Sequence, residues 1–144
     1  MGVILDTSVL IAAERQRLDL GALFAAHEKE TFRIAAITAA ELLHGVERAK
    51  PPARRQTRAR FVEWILAQVE TIDFDLALAR QHAGLWAALE AAGTMIGPYD
   101  LLIAATALHY DDPLATLNDG EFRRVPGLSL IDVARYLRPD EPAV

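Results

Sequence analysis

VILDTSVLIAA, residues 3–13, passes from an apolar run with the pattern of a strand to one with the pattern of a helix, and a single carboxylate, Asp6, stands at the join. A charge beside a core is costly unless it is paired, hydrogen-bonded or bound to a cation. With VIL (3–5) as a strand and residues 8–14 as a helix, the segment opens a β–α unit. The same alternation continues along the chain, which predicts an α/β fold with a parallel sheet of about five strands flanked by helices.

Working outward, Asp19 reads as the N-cap of a second helix through Leu20, Leu23 and Phe24, and FRIAAI (32–37) as the second strand. Thr38 then opens a helix carrying Leu42, Leu43 and Val46, which ends before Pro51-Pro52. Residues 53–69 form a long helix with Phe61, Trp64, Ile65 and Leu66 on one side. ETIDF (70–74) is the third strand. Asp75 caps a helix to Ala92, where Gly93 is a stop signal. Gly97-Pro98 starts the next helix, with proline in its first turn. PLATL (113–117) and GLSLI (127–131) are the fourth and fifth strands, followed by a short helix near 133–137. One domain, 1–138, accounts for all of these, and 139–144 reads as a frayed tail. Trp64 and Trp86 are expected to pack into the core.

Bulk properties narrow the class. A chain of 144 residues, 52% hydrophobic and 24% charged, has the length and composition of one globular domain. No apolar run approaches the roughly 18 residues that span a bilayer, and no leader pattern is visible, so a cytoplasmic protein without membrane partners is expected. The absence of cysteine excludes disulfides, thiolate metal sites and cysteine nucleophiles. A net charge of −5 argues against a generic polyanion binder, although not against a local basic strip. Of the 15 basic residues only Lys29 and Lys50 are lysine.

In a doubly wound sheet, ligands bind beyond the carboxyl ends of the strands. Asp6, Glu41, Asp100 and Asp119 all fall on that rim. Carboxylates brought together without a basic partner repel at about 4 kcal/mol for a pair about 4 Å apart at an effective dielectric near 20. A hard cation with oxygen ligands, Mg²⁺ or Mn²⁺, removes the conflict. Each acid also has a plain structural explanation. Asp6 can cap the first helix, and Glu41 can close a capping box with Thr38. Asp100 gains from a helix dipole, and Asp119 suits a turn.

Taken together, VILDTSVLI, ITAAELLHGV, IGPYDLLIAATAL and LATLNDGEFRRVPGL, in that order across residues 3–128, resemble the PIN-domain ribonucleases, most closely the VapC toxins of bacterial toxin–antitoxin pairs. The resemblance implies a PIN-like domain with an Mg²⁺- or Mn²⁺-binding acidic pocket that hydrolyses single-stranded segments of tRNA or rRNA. It also implies a homodimer and a small antitoxin whose tail blocks the acidic groove. Asp6, Glu41 and Asp100 match the family's metal-site acids, and Thr116 its threonine after the fourth strand. Where many relatives carry a fourth aspartate this chain has Asn118, leaving Asn118, Asp119 and Glu121 as candidates to complete the pocket.

Other motifs carry less. His27, His44, His82 and His109 are scattered without zinc-site spacing, and His44 reads as a surface imidazole one turn after Glu41. No P-loop, nucleophile elbow or G-x-G-x-x-G is present, so no nucleotide cofactor is expected. Arg54, Arg55 and Arg58 on the long helix, and Arg123 and Arg124 beside the predicted pocket, are candidate RNA contacts, the latter pair being better placed. A haloacid-dehalogenase-like phosphatase needs a second aspartate where Ser8 stands. A receiver-like signalling module needs an acidic pair after the first strand, and both rivals need a late lysine that this chain lacks.

Overall fold

Strand β1 (Gly2–Leu5) is buried along its whole length. Its side chains alternate between two cores, as the pleat requires. Val3 and Leu5 join Val9, Leu10, Leu23, Leu42, Val62 and Ile65 on one face, whereas Ile4 joins Leu78, Leu89, Ile103 and Phe122 on the other. A central strand buried on both faces is the signature of a sheet covered by helices on both sides.

The computed structural model describes residues 1–139. After β1 come α1 (Thr7–Glu14), α2 (Leu20–Ala26), β2 (Thr31–Ala35), α3 (Ala36–Arg48), α4 (Pro52–Gln68) and β3 (Glu70–Ile72). Then follow α5 (Leu76–Ala92), α6 (Pro98–Tyr110), β4 (Leu114–Thr116), α7 (Asp119–Phe122) and β5 (Leu130–Asp132), with a closing 3₁₀ turn at Ala134–Tyr136. The strands form one parallel sheet in the order β3-β2-β1-β4-β5. The order reverses between β1 and β4, and the crevice at that switch point is where an open α/β sheet binds its ligand.

The expected punctuation is present. Asp19 Oδ1 accepts from the Ala22 amide at 3.0 Å, and Asp75 Oδ1 from the Leu78 amide at 2.9 Å. Gly93 closes α5 at φ 69°, the left-handed conformation that glycine adopts without a side-chain clash. Pro98 begins α6.

Several expectations need correction, among them the third and fourth strands, which are trimmed to Glu70–Ile72 and Leu114–Thr116. The second strand stops at Ala35 because Ala36 and Ile37 already belong to α3, so Thr38 lies inside the helix instead of opening it. The fifth strand covers Leu130–Asp132, since Gly127 at φ 79° turns the chain just before it. The last short helix is a single 3₁₀ turn. Trp64 and Trp86 are each 47% exposed and are not core residues. On α4 the sheet-facing stripe is Val62 and Ile65, which leaves Trp64 on the flank; on α5 it is Leu78, Leu85 and Leu89, which does the same to Trp86. The expected tail falls, apart from Pro139, outside the described residues. No helix among the described residues is long and apolar enough to cross a membrane.

At the amino edge of the sheet a partly buried ion pair ties the chain's first residues to the start of β4. Asp112 accepts from the Gly2 amide at 3.1 Å and from Arg33 Nη1 at 3.3 Å, and Arg33 also reaches Glu70 at 3.4 Å. Asp112→Ala removes two hydrogen bonds but leaves the partly exposed Arg33 its contact with Glu70, and is expected to lower stability by about 2 kcal/mol in chemical denaturation. Glu70→Ala, at the exposed end of the same network, is expected to cost less than about 1 kcal/mol.

Candidate active site at the carboxyl edge

Asp6 is the residue after β1 and occupies the N-cap position of α1, yet its side chain caps nothing. Only 3% of it is exposed. Its backbone amide donates to the Ala115 carbonyl at 2.9 Å, which aligns the ends of β1 and β4. Thr116, the last residue of β4, donates from Oγ1 to Asp6 Oδ2 at 2.7 Å, and Ser8 Oγ donates to the same oxygen at 2.6 Å. The helix-cap explanation of Asp6 is therefore replaced by a buried carboxylate held by two hydroxyls.

Glu41 comes from the second turn of α3. The capping box with Thr38 does not form, because the N-cap of that helix is Ala35. Glu41 Oε1 accepts instead from Thr7 Oγ1 at 2.9 Å, and the Thr7 hydroxyl also lies 3.0 Å from Thr38 Oγ1. Burial raises the Glu41 pKa, opposed by the Thr7 hydrogen bond and reinforced by the charge of Asp6.

Asp100 stands in the first turn of α6, a helix pinned by the buried Leu101, Ile103, Ala104 and Ala105. Burial first, then a hydrogen bond to Glu121 and the charges of Asp6, Glu121 and Glu41, push its pKa from 3.8 up to about 7. Glu121 is held below its ordinary value, chiefly by that hydrogen bond and by the Gly97 amide that donates to it. Of the two, Asp100 is the acid pushed toward its protonated form. Asn118 Nδ2 spans the two acids, 3.3 Å from Asp100 Oδ2 and 3.1 Å from Glu121 Oε2.

The open choice for the fourth position is thus narrowed by geometry. Asn118 and Glu121 both touch Asp100. Phe122, fully buried, anchors α7 and so carries the preceding Glu121 to the rim. Asp119 is exposed and pairs with Arg123 at 2.8 Å, one helical turn along. Among the described residues, none of Asp6, Glu41, Asp100 and Glu121 enters a salt bridge.

The arginines are mostly occupied. Arg55 pairs with Glu47 at 2.9 Å; Arg58 pairs with Glu14 at 3.1 Å and donates to the Gly45 carbonyl. Arg54 is exposed and forms no ion pair among the described residues. Arg124 donates to the Met95 carbonyl at 2.9 Å, and its charge helps to lower the Glu121 pKa, which places it beside the acids. His44 is exposed, as expected. Sequence does not single out Thr7 and Ser8 as site residues, although a pair of hydroxyl residues directly after Asp6 is the signal available, and Thr38 reads there only as a helix cap.

No three Asp, Glu or His side chains among the described residues are disposed as they stand to hold a metal ion between them. The donor set nevertheless suits a hard cation: oxygen atoms only, partly desolvated, mutually repelling, with no basic side chain paired to them.

A family model described as PIN domain matches residues 3–128. A ribonuclease VapC of Rickettsia bellii is 35% identical over 133 residues, covering 92% of this chain and 97% of the relative. A tRNA(fMet)-specific endonuclease VapC of Salmonella typhimurium is 34% identical over 99 residues, covering 69% and 73%. Among solved structures, VapBC2 of Rickettsia felis, bound to a DNA fragment from its promoter, superposes with a TM-score of 0.82 at 30% identity, covering 91% of this chain and 98% of that one.

The raised Asp100 pKa fixes a sign for stability. Between pH about 4 and about 7 the folded protein keeps a proton that the unfolded chain has lost, so this group's cost builds up as pH rises from about 4 to about 7 and is constant above that. In chelator, the melting temperature of the parent should fall between about pH 4 and about pH 7 relative to Asp100→Asn and run parallel to it above, with Asp100→Asn melting higher by a few degrees, on the order of 1 kcal/mol, at about pH 8. The lowered His82 pKa acts oppositely, removing stability as pH falls through 6.5, and cancels in the difference between the two proteins. Parallel melting curves across this range would refute the assignment.

Proposed function

Because the chain belongs to the PIN-domain family, and within it to the VapC ribonucleases of VapBC toxin–antitoxin pairs, we propose that it is a divalent-cation-dependent endoribonuclease toxin whose chemistry is carried by Asp6, Glu41 and Asp100, completed by Asn118 and Glu121. The observation that carries the reading is the convergence of these acids, from β1, α3, α6 and α7, on one crevice without a basic partner. Family membership removes the phosphatase and receiver alternatives.

Asp6 and Asp100 would hold Mg²⁺ or Mn²⁺ directly, with Glu41 and Glu121 acting through water. When bound, the ion supplies a water of lowered pKa and neutralises charge on the phosphoryl oxygens. The protein's own groups prepare for this. Thr116 and Ser8 orient Asp6, Thr7 keeps Glu41 turned toward the pocket, and Asn118 fixes the spacing of Asp100 and Glu121. The proton on Asp100 competes with the cation, so cation affinity rises with pH through about 7. Of the basic residues, Arg124 is the preferred phosphate contact, being tethered beside Glu121; Arg123, Arg54, Arg55 and Arg58 would act farther out.

Transfer RNA is the proposed substrate class, supported by the name of the Salmonella relative. A VapB-type antitoxin is the proposed partner. A hollow of about 80 Å³ between α1, α3 and α4, lined by Ile11, Leu42, Phe61 and Val62, includes Glu41 in its wall. A segment seated there would abut the acidic pocket. A second copy of the chain is proposed to cover Phe74, Trp86, Met95 and Tyr99, apolar side chains left 37–53% exposed along α5 and the start of α6.

The test is cleavage of bulk bacterial transfer RNA and ribosomal RNA by purified protein with Mn²⁺ or Mg²⁺. Cuts at few sites are expected, abolished by excess chelator and by Asp6→Asn; equal cleavage in chelator would sink the mechanism. Glu41→Gln keeps the size of the side chain and removes its charge. It should melt within a few degrees of the parent, a change below about 1 kcal/mol. Its rate should drop at least about tenfold, about 1.4 kcal/mol in the barrier. A fully active Glu41→Gln would remove that residue from the site.

A further inference from the structure

Two hydroxyls from different segments converge on one atom of Asp6. Ser8 Oγ, in the first turn of α1, and Thr116 Oγ1, at the end of β4, both donate to Oδ2, at 2.6 and 2.7 Å. Each is itself fixed by a backbone amide: the Leu117 N–H donates to Ser8 Oγ at 3.1 Å, and the Asn118 N–H to Thr116 Oγ1 at 2.9 Å. Accepting from an amide leaves each hydroxyl its one proton to give, and in both cases Asp6 receives it. Among the described residues Oδ1 accepts no hydrogen bond. Among the described residues the only sealed side-chain polar atom without a hydrogen-bond partner is Arg33 Nε, so Oδ1 keeps access to solvent.

We infer that Ser8 is a positioning residue that, together with Thr116, clamps Oδ2 and leaves Asp6 a single oxygen to offer a cation, which selects a small octahedral ion over a large one. The inference rests on reading the pocket as a cation-binding nuclease centre. A single hydroxyl leaves a carboxylate able to rotate about its Cβ–Cγ bond; two donors arriving from α1 and β4 hold the plane. Large Ca²⁺ takes about six to eight oxygens and accepts both oxygens of one carboxylate, whereas Mg²⁺ and Mn²⁺ favour octahedral sites. A carboxylate limited to one outward oxygen suits the second group. Without Ser8 the carboxylate can turn, which weakens the small ion and relaxes the discrimination.

The experiment measures Mn²⁺ binding to the metal-free parent and to Ser8→Ala from the electron paramagnetic resonance signal of the free ion, followed by displacement with Ca²⁺. Ser8→Ala is expected to bind Mn²⁺ about tenfold more weakly, the scale set by loss of an outer-shell partner. The ratio of Ca²⁺ to Mn²⁺ affinity should rise at least about threefold. General loosening of the fold would lower both affinities together and leave the ratio alone. Ser8→Cys, close to isosteric with a weaker donor, guards against a folding defect in the alanine variant and is expected to move the ratio in the same direction. An unmoved ratio in either variant overturns the inference, as does a parent that binds no Mn²⁺. Chelator-sensitive RNA cleavage by the parent judges the nuclease reading separately: a parent that binds Mn²⁺ with this Ser8 dependence but cuts no RNA defeats that reading and leaves the role of Ser8 standing.

Discussion

The buried carboxylate of Asp6, at the seam where β1 meets β4, is the constraint around which the carboxyl edge of the sheet is arranged. A charge 97% removed from solvent has to be satisfied by its neighbours. Here only hydroxyls satisfy it, through one of its two oxygens. The other acids then lie in its field. Glu41 and Asp100 are both pushed toward their protonated forms in part by the charge of Asp6, and the Asp100 and Glu121 pKa values are driven apart, Asp100 up and Glu121 down. The pocket is held in a state of unmet charge by the packing beneath it: Leu42, Leu101 and Phe122, each next to one of the acids, are buried in the two cores. Core packing and site electrostatics are therefore one construction, in which apolar anchors force acidic neighbours together.

Much of this was legible in the sequence because the signals were local. Asp75 and Asp19 announced helix starts by chemistry that acts within three residues, Gly93 and Pro98 by backbone restrictions of their own. Asp6, Glu41 and Asp100 were legible from their place after apolar runs. What sequence could not resolve depends on contacts between distant segments. Thr38 looks like a cap until the end of β2 is known, and only the fold shows that its hydroxyl faces Thr7. Asn118, Asp119 and Glu121 are equivalent candidates along the chain; the burial of Phe122 separates them by fixing how α7 lies. Trp64 and Trp86 lie outside the core because the apolar stripe of each helix is wider than the strip that meets the sheet.

The net charge of −5 conceals an organised distribution. Several arginines neutralise acids away from the crevice, at Glu14, Glu47, Asp112 and Asp119. The acids of the crevice receive no such partner among the described residues. The two edges of the sheet are consequently opposite in kind: the amino edge, with Arg33 and Asp112, is compensated, and the carboxyl edge is not.

Both edges share one property of connectivity. The hydrogen bonds from Thr116 to Asp6 and from Gly2 to Asp112 each join residues 110 positions apart. The first strand of the sheet acquires its β4 neighbour only after most of the chain exists. During synthesis, a ribosome-held fragment lacking β4 has Asp6, Glu41 and Asp100 but neither Thr116 to orient the first of them nor Asn118 and Glu121 to complete the crevice. The crevice is thus assembled only once the chain has been made as far as Glu121, a delay written into strand order alone.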